Sequence, residues 1–189
     1  MDLNGKSFEL PDFDRAYLEC EEMFTEADDL IKELKITEAV EKLNKIIQRN
    51  PKFGKAYNHL GWIYENKYKN YARADDYYKL ALQHAPEYHA IYLNYAYFLS
   101  NLSRFDELKT HLDRALNVTS VAKDTLYNEY ANMYEMQSEP ETAIDYYFKA
   151  AMISLDGDKI QRYKDAIERC KQKIELKNSM NEFGSNQFR

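Results

Sequence analysis

The sequence predicts an all-α chain, a solenoid of stacked helix pairs. Two observations carry this. A pattern of aromatic and small residues recurs at a fixed interval: Ala27 to Gly61 is 34 residues, and Gly61 to Ala96 and Ala96 to Ala131 are 35 each. That period is the scale of one helix pair, which cannot bury its apolar face alone and so stacks on the next. The aromatic content is also strong without strand-like alternation, and only five Gly and four Pro interrupt the 189 residues.

The clearest copy of the pattern runs from Tyr57 to Pro86. Tyr57, Leu60, Gly61 and Tyr64 have the spacing aromatic-x2-Leu-Gly-x2-Tyr, followed by Ala74-x3-Tyr78, Ala81 and Pro86. Gly61 lets the two helices of the pair approach closely. Pro86 stops the second helix, since it lacks an N–H and restricts the residue before it. Upstream, Met23, Ala27 and Leu30 precede Ala39-x3-Leu43, Ile46 and Pro51. Downstream come Tyr92, Tyr95, Ala96 and Leu99 with Leu108-x3-Leu112, then Tyr127, Tyr130, Ala131 and Tyr134 with Ala143-x3-Tyr147 and Ala150. This pattern resembles the tetratricopeptide repeat, with Tyr57 where that family most often has Trp. The resemblance implies a right-handed superhelical solenoid of about four helix pairs with a C-terminal capping helix. The repeats are placed at 20–53, 54–88, 89–123 and 124–157. Departures from the pattern are Glu26 and Leu108, and Ser120 and Leu155 where a final Pro is usual.

Taken in order, residues 1–19 are an irregular arm and the start of a helix, with Asp12 or Asp14 as its cap and its end near Leu34. Thr37 is read as the cap of the next helix, which stops at Asn50-Pro51. Lys67-Tyr68-Lys69-Asn70 is an extended turn that lengthens repeat two. Ser103-x2-Asp106 and Ser138-x2-Glu141 read as caps, with Pro140 tolerated in a first turn. Asp156-Gly157 is a break. Residues 158–179 form a capping helix whose apolar face is Tyr163, Ile167, Cys170 and Ile174, at steps of 4, 3 and 4. Residues 180–189 are read as a disordered tail.

At this length one domain is expected. The net charge of −6 and pI near 5.3 disfavour a phosphate backbone as partner. Cys20 and Cys170 lie at opposite ends of the chain and are read as free thiols in a reducing, cytoplasmic compartment. Removal of a leader would instead make the protein periplasmic or exported. No signal-peptide pattern or membrane-length apolar run is found.

No catalytic constellation is found. The four His (59, 84, 89 and 111) share no metal-ligand spacing, and there is no phosphate loop and no nucleophile motif. A non-catalytic role without metal or cofactor is expected. The informative residues lie on the opposite side of the first helix of each repeat. With Tyr57, Leu60, Gly61 and Tyr64 packed, Asn58 and Trp62 point away together with Lys55 and Glu65. Equivalent places hold Phe24, Asp28 and Lys32; then Leu93, Asn94, Tyr97 and Asn101; then Asn128, Asn132, Glu135 and Met136. In tetratricopeptide proteins this side lines the concave groove. The resemblance therefore implies a scaffold that holds an extended peptide or partner helix through Asn58, Trp62, Asn94, Tyr97, Asn101, Asn128 and Asn132. Asn bridges a peptide's N–H and C=O groups, and exposed Trp and Tyr act as anchors. The places matching the family's two-carboxylate clamp hold Phe24, Asp28, Asn58 or His59, Ala90 and Asn94, without its cations. A chaperone C-terminal tail is therefore not the expected partner. Two alternatives are self-association through the end helices and, against the acidic balance, RNA binding.

Overall fold

The computed structural model describes residues 12–186. Among these there are nine helices and no strands: α1 (Asp12–Lys32), α2 (Ile36–Arg49), α3 (Gly54–Asn66), α4 (Tyr71–His84), α5 (His89–Asn101), α6 (Phe105–Ala115), α7 (Lys123–Met136), α8 (Pro140–Ile153) and α9 (Gly157–Asn186). The helices alternate along the chain as the repeat pattern requires. By its contacts the chain divides into two compact units, Met1–Asn94 and Tyr95–Arg189.

In the first unit α1 packs on α2, α2 on α3, and α3 on α4. Its core gathers Cys20, Ala27, Ala39, Leu43, Ile46, Phe53, Ala56, Leu60 and Ile63. Gly61 is buried against α4, where a Cβ would stand 2.8 Å from the Tyr78 ring. The pair closes at that point because position 61 has no side chain. A second close approach was not foreseen: a Cβ on Gly54 would fall 2.4 Å from that of Ala85.

In the second unit α6 packs on α7, α7 on α8, and α8 on α9. Ala131, Ala143, Tyr147 and Ala150 meet Tyr163, Ala166 and Cys170 of α9, with Ile167 alongside. This is the capping contact expected of the last helix. Both Cys20 and Cys170 are free, buried thiols. Among the described residues no helix is long and apolar enough to cross a membrane.

The turns inside the repeats differ from the sequence reading. Leu34, Lys69, Ser103 and Ser138 all have positive φ, at 62°, 52°, 54° and 64°. Three of these turns share one hydrogen-bond pattern. Lys35 N–H donates to Leu30 O at 2.8 Å, Arg104 N–H to Leu99 O at 2.9 Å, and Glu139 N–H to Tyr134 O at 2.9 Å. This is the Schellman closure, with a left-handed residue just past the helix end. Ser103 and Ser138 therefore end one helix rather than cap the next, a correction to the sequence reading. Arg104 and Glu139 occupy the cap positions without a side-chain bond. Thr37 is not a cap either, because α2 starts one residue before it, at Ile36. In repeat two the extra residue shifts the closure, and Asn70 N–H reaches back to Tyr64 O at 2.8 Å. There Asn70 does cap, its Oδ1 accepting from Arg73 N–H at 3.1 Å.

The end of the chain also departs from expectation, since α9 continues to Asn186 instead of stopping near residue 179. The arm at residues 1–11 and residues 187–189 lie outside the described residues, as do the side chains of Asp12 and Asp14.

Candidate peptide-binding clefts

The first helices of neighbouring repeats build a cleft in each unit. In the first unit, Asp28 and Ile31 of α1, Asn58, His59 and Trp62 of α3, and Asn94 enclose about 270 Å³. Asn94 Nδ2 donates to Asn58 Oδ1 at 3.1 Å, joining successive repeats. Asn58 is only 2% exposed, so it belongs to the cleft floor and not to an open surface as expected. Its amide oxygen is occupied there by the Asn94 amide. His59 Nε2 lies 3.4 Å from Asp28 Oδ1, and its ring meets Phe24 edge-on at 4.5 Å. Burial pushes His59 below the ordinary imidazole range, against the pull of Asp28. Asp28 is held below the usual carboxylate range by Lys32 first, then by His59. Trp62 is half-buried and packs against the core of the first unit. Lys67 Nζ stands 5.4 Å from the centre of its ring.

In the second unit, Tyr97, Ser100 and Asn101 of α5 face Glu129, Asn132, Glu135 and Met136 of α7, with Lys173 of α9, around about 440 Å³. Tyr97 is 42% exposed and Asn101 is exposed. Asn128 and Asn132 are half-buried, and both donate to Glu129 Oε1, at 3.0 and 3.3 Å. Glu129 is buried, which pushes its carboxyl above the usual range. Burial also raises the Tyr97 phenol, helped by the Glu129 charge.

Two carboxylates do structural work that the sequence reading assigned to the outward face. Glu65 is buried, and Tyr78 OH donates to its Oε2 at 2.7 Å. Tyr147 OH donates to Glu135 Oε2, also at 2.7 Å, and Arg169 and Lys173 of α9 engage the same carboxylate. Both bonds tie the first helix of a repeat to its second. A signal was present: Glu65 and Glu135 each follow the close-contact residue, Gly61 or Ala131, by four positions, and only these two repeats carry Ala-x3-Tyr, at Ala74-x3-Tyr78 and Ala143-x3-Tyr147.

The comparisons with known proteins agree with this architecture. No protein-family model matches the chain, and no curated protein matches its sequence. Solved structures do match. The PilF structure from Pseudomonas aeruginosa superposes with a TM-score of 0.67 at 16% identity, over 83% of this chain and 77% of that one. A thermophilic TPR protein of Thermus thermophilus, TTC0263, gives 0.59 at 21% identity, over 78% and 81%. Cut9, from the APC/C heterotetramer Cut9–Hcn1, gives 0.64 at 16% identity, over 87% of this chain and 34% of that one. Paired helices, the close contact at Gly61 and these superpositions lead to one conclusion: the chain has the fold of the tetratricopeptide-repeat proteins.

Proposed function

We propose that this protein is a non-catalytic interaction scaffold, holding an extended peptide or partner helix on the inner faces of its first helices. The observation that carries the reading is the pair of clefts. Each unit places Asn amides beside one aromatic ring, Asn58 and Asn94 with Trp62, and Asn132 and Asn101 with Tyr97. Side-chain amides there bridge the N–H and C=O groups of an extended backbone, while the rings bury apolar area at small entropic cost. The Cut9–Hcn1 heterotetramer is consistent with such a role for the fold.

The test is affinity capture from native lysate with the wild-type chain, Trp62→Ala and Tyr97→Ala. Tyr97 is the cleaner probe, because Trp62 also packs on the core. Tyr97→Ala is expected to weaken capture by about 1–2 kcal/mol with the melting temperature nearly unchanged. Capture that survives both substitutions refutes the reading.

Self-association through the end helix has one observation in its favour. Leu176 and Met180 are 63% and 67% exposed, beside Pro140 and Lys177. A concentration-dependent mass in light scattering, abolished by Leu176→Glu, would support it.

A further inference from the structure

Glu129 differs from three other carboxylates of the second unit. Asp124 has Lys159 at 3.0 Å, Asp113 has Lys109 at 2.9 Å, and Glu135 has both Arg169 and Lys173 at 2.7 Å. Glu129 is 4% exposed, and among the described residues no Lys or Arg pairs with it. Its Oε1 accepts from two amides while its Oε2 accepts none. A buried carboxylate without a cation is costly, and a neutral side chain of the same shape would fit two amide donors at less expense. The residue also lines the open cleft of the second unit.

We propose that this cleft takes a lysine side chain from the bound partner segment, its ammonium resting on Glu129 Oε2. The proposal rests on the scaffold reading above and adds the partner's chemistry. Lysine fits better than arginine because only one oxygen is free, and the two-pronged guanidinium pair needs both. A long apolar stem is also needed to reach a buried acid, and Tyr97 and Met136, 42% and 52% exposed, offer it a wall. Lys173 lines the same cleft, but its ammonium lies on Glu135 Oε1 at 2.7 Å and does not neutralise Glu129.

The experiment is a titration of the ¹⁵N-labelled full chain with the capped peptide acetyl-Gly-Ser-Lys-Ser-Gly-amide, followed by NMR. Matching peptides carry norleucine or arginine in place of lysine. The lysine peptide is expected to move the side-chain amide signals of Asn128 and Asn132, and to bind about tenfold more tightly than the norleucine peptide. Glu129→Gln removes that preference. Tyr97→Ala, at a position 42% exposed, weakens the lysine peptide severalfold. Equal binding of the lysine and norleucine peptides overturns the lysine site while leaving a peptide-holding face intact. Tighter binding of the arginine peptide overturns the choice of ammonium. No movement of the Asn128 and Asn132 signals with any peptide overturns the proposal outright, whereas the scaffold reading falls only with the capture experiment.

Discussion

Gly61 and Gly54 show how a single absent side chain sets a helix spacing. At Gly61 a Cβ would stand 2.8 Å from the Tyr78 ring, and at Gly54 it would meet both the Cβ and the backbone of Ala85. Gly61→Leu is therefore expected to destabilise by about 1–3 kcal/mol through overpacking, read as a lower urea midpoint. Glu135 makes a second prediction at this scale. Arg169 first, then Lys173 and Tyr147, hold its carboxyl down to about 2 from an ordinary 4.5. A depressed carboxylate contributes stability above its unfolded pKa and loses it as pH falls through the folded one. Glu135→Gln should thus lower the melting temperature at pH 7, with the gap to wild type closing between about 4.5 and about 2. The effect is modest, on the order of 1 kcal/mol, because Arg169 and Lys173 are half exposed and water screens them.

At the scale of the element, the turns are where the chain stores conformational strain. A non-glycine residue in the left-handed region costs about 1–2 kcal/mol. Leu34 takes that conformation while 72% exposed, so its side chain contributes little burial in return. Leu34→Gly should stabilise the first unit by about 0.5–1 kcal/mol, the relieved strain less the chain entropy glycine loses. These turns were also the least legible part of the sequence. The helix pairs were legible because Gly61, Ala96 and Ala131 recur with apolar neighbours at fixed offsets, and packing depends on that pattern. Ser103 and Ser138 misled because Ser-x2-acid describes a cap in general, while the Schellman closure depends on backbone geometry that Leu and Ser can both adopt. The cleft residues were partly legible. Their helix face followed from the 100° step, but Asn58 was expected to be open. Its amide oxygen is occupied by the Asn94 amide, 36 residues away, a pairing that no local pattern encodes.

For the whole molecule, the last helix bears on solubility and folding. Tyr163, Ala166 and Cys170 cover the apolar side of Ala143, Tyr147 and Ala150. A chain ending at Asp156 would expose that surface, and Glu135 would lose Arg169 and Lys173 as well. Such a truncation should aggregate and melt earlier, checked by light scattering and thermal unfolding. The division into two compact units predicts that their unfolding need not coincide.

Trp62 gives that division an optical consequence. It is the sole tryptophan of the chain, and it sits in the first unit. Its emission is therefore a built-in reporter for one half of the protein, while far-ultraviolet dichroism averages over every helix. Two melting curves recorded on one unlabelled sample would separate if the halves melt apart. Because the same indole borders the cleft beside Asp28 and His59, a segment entering there would shift its colour.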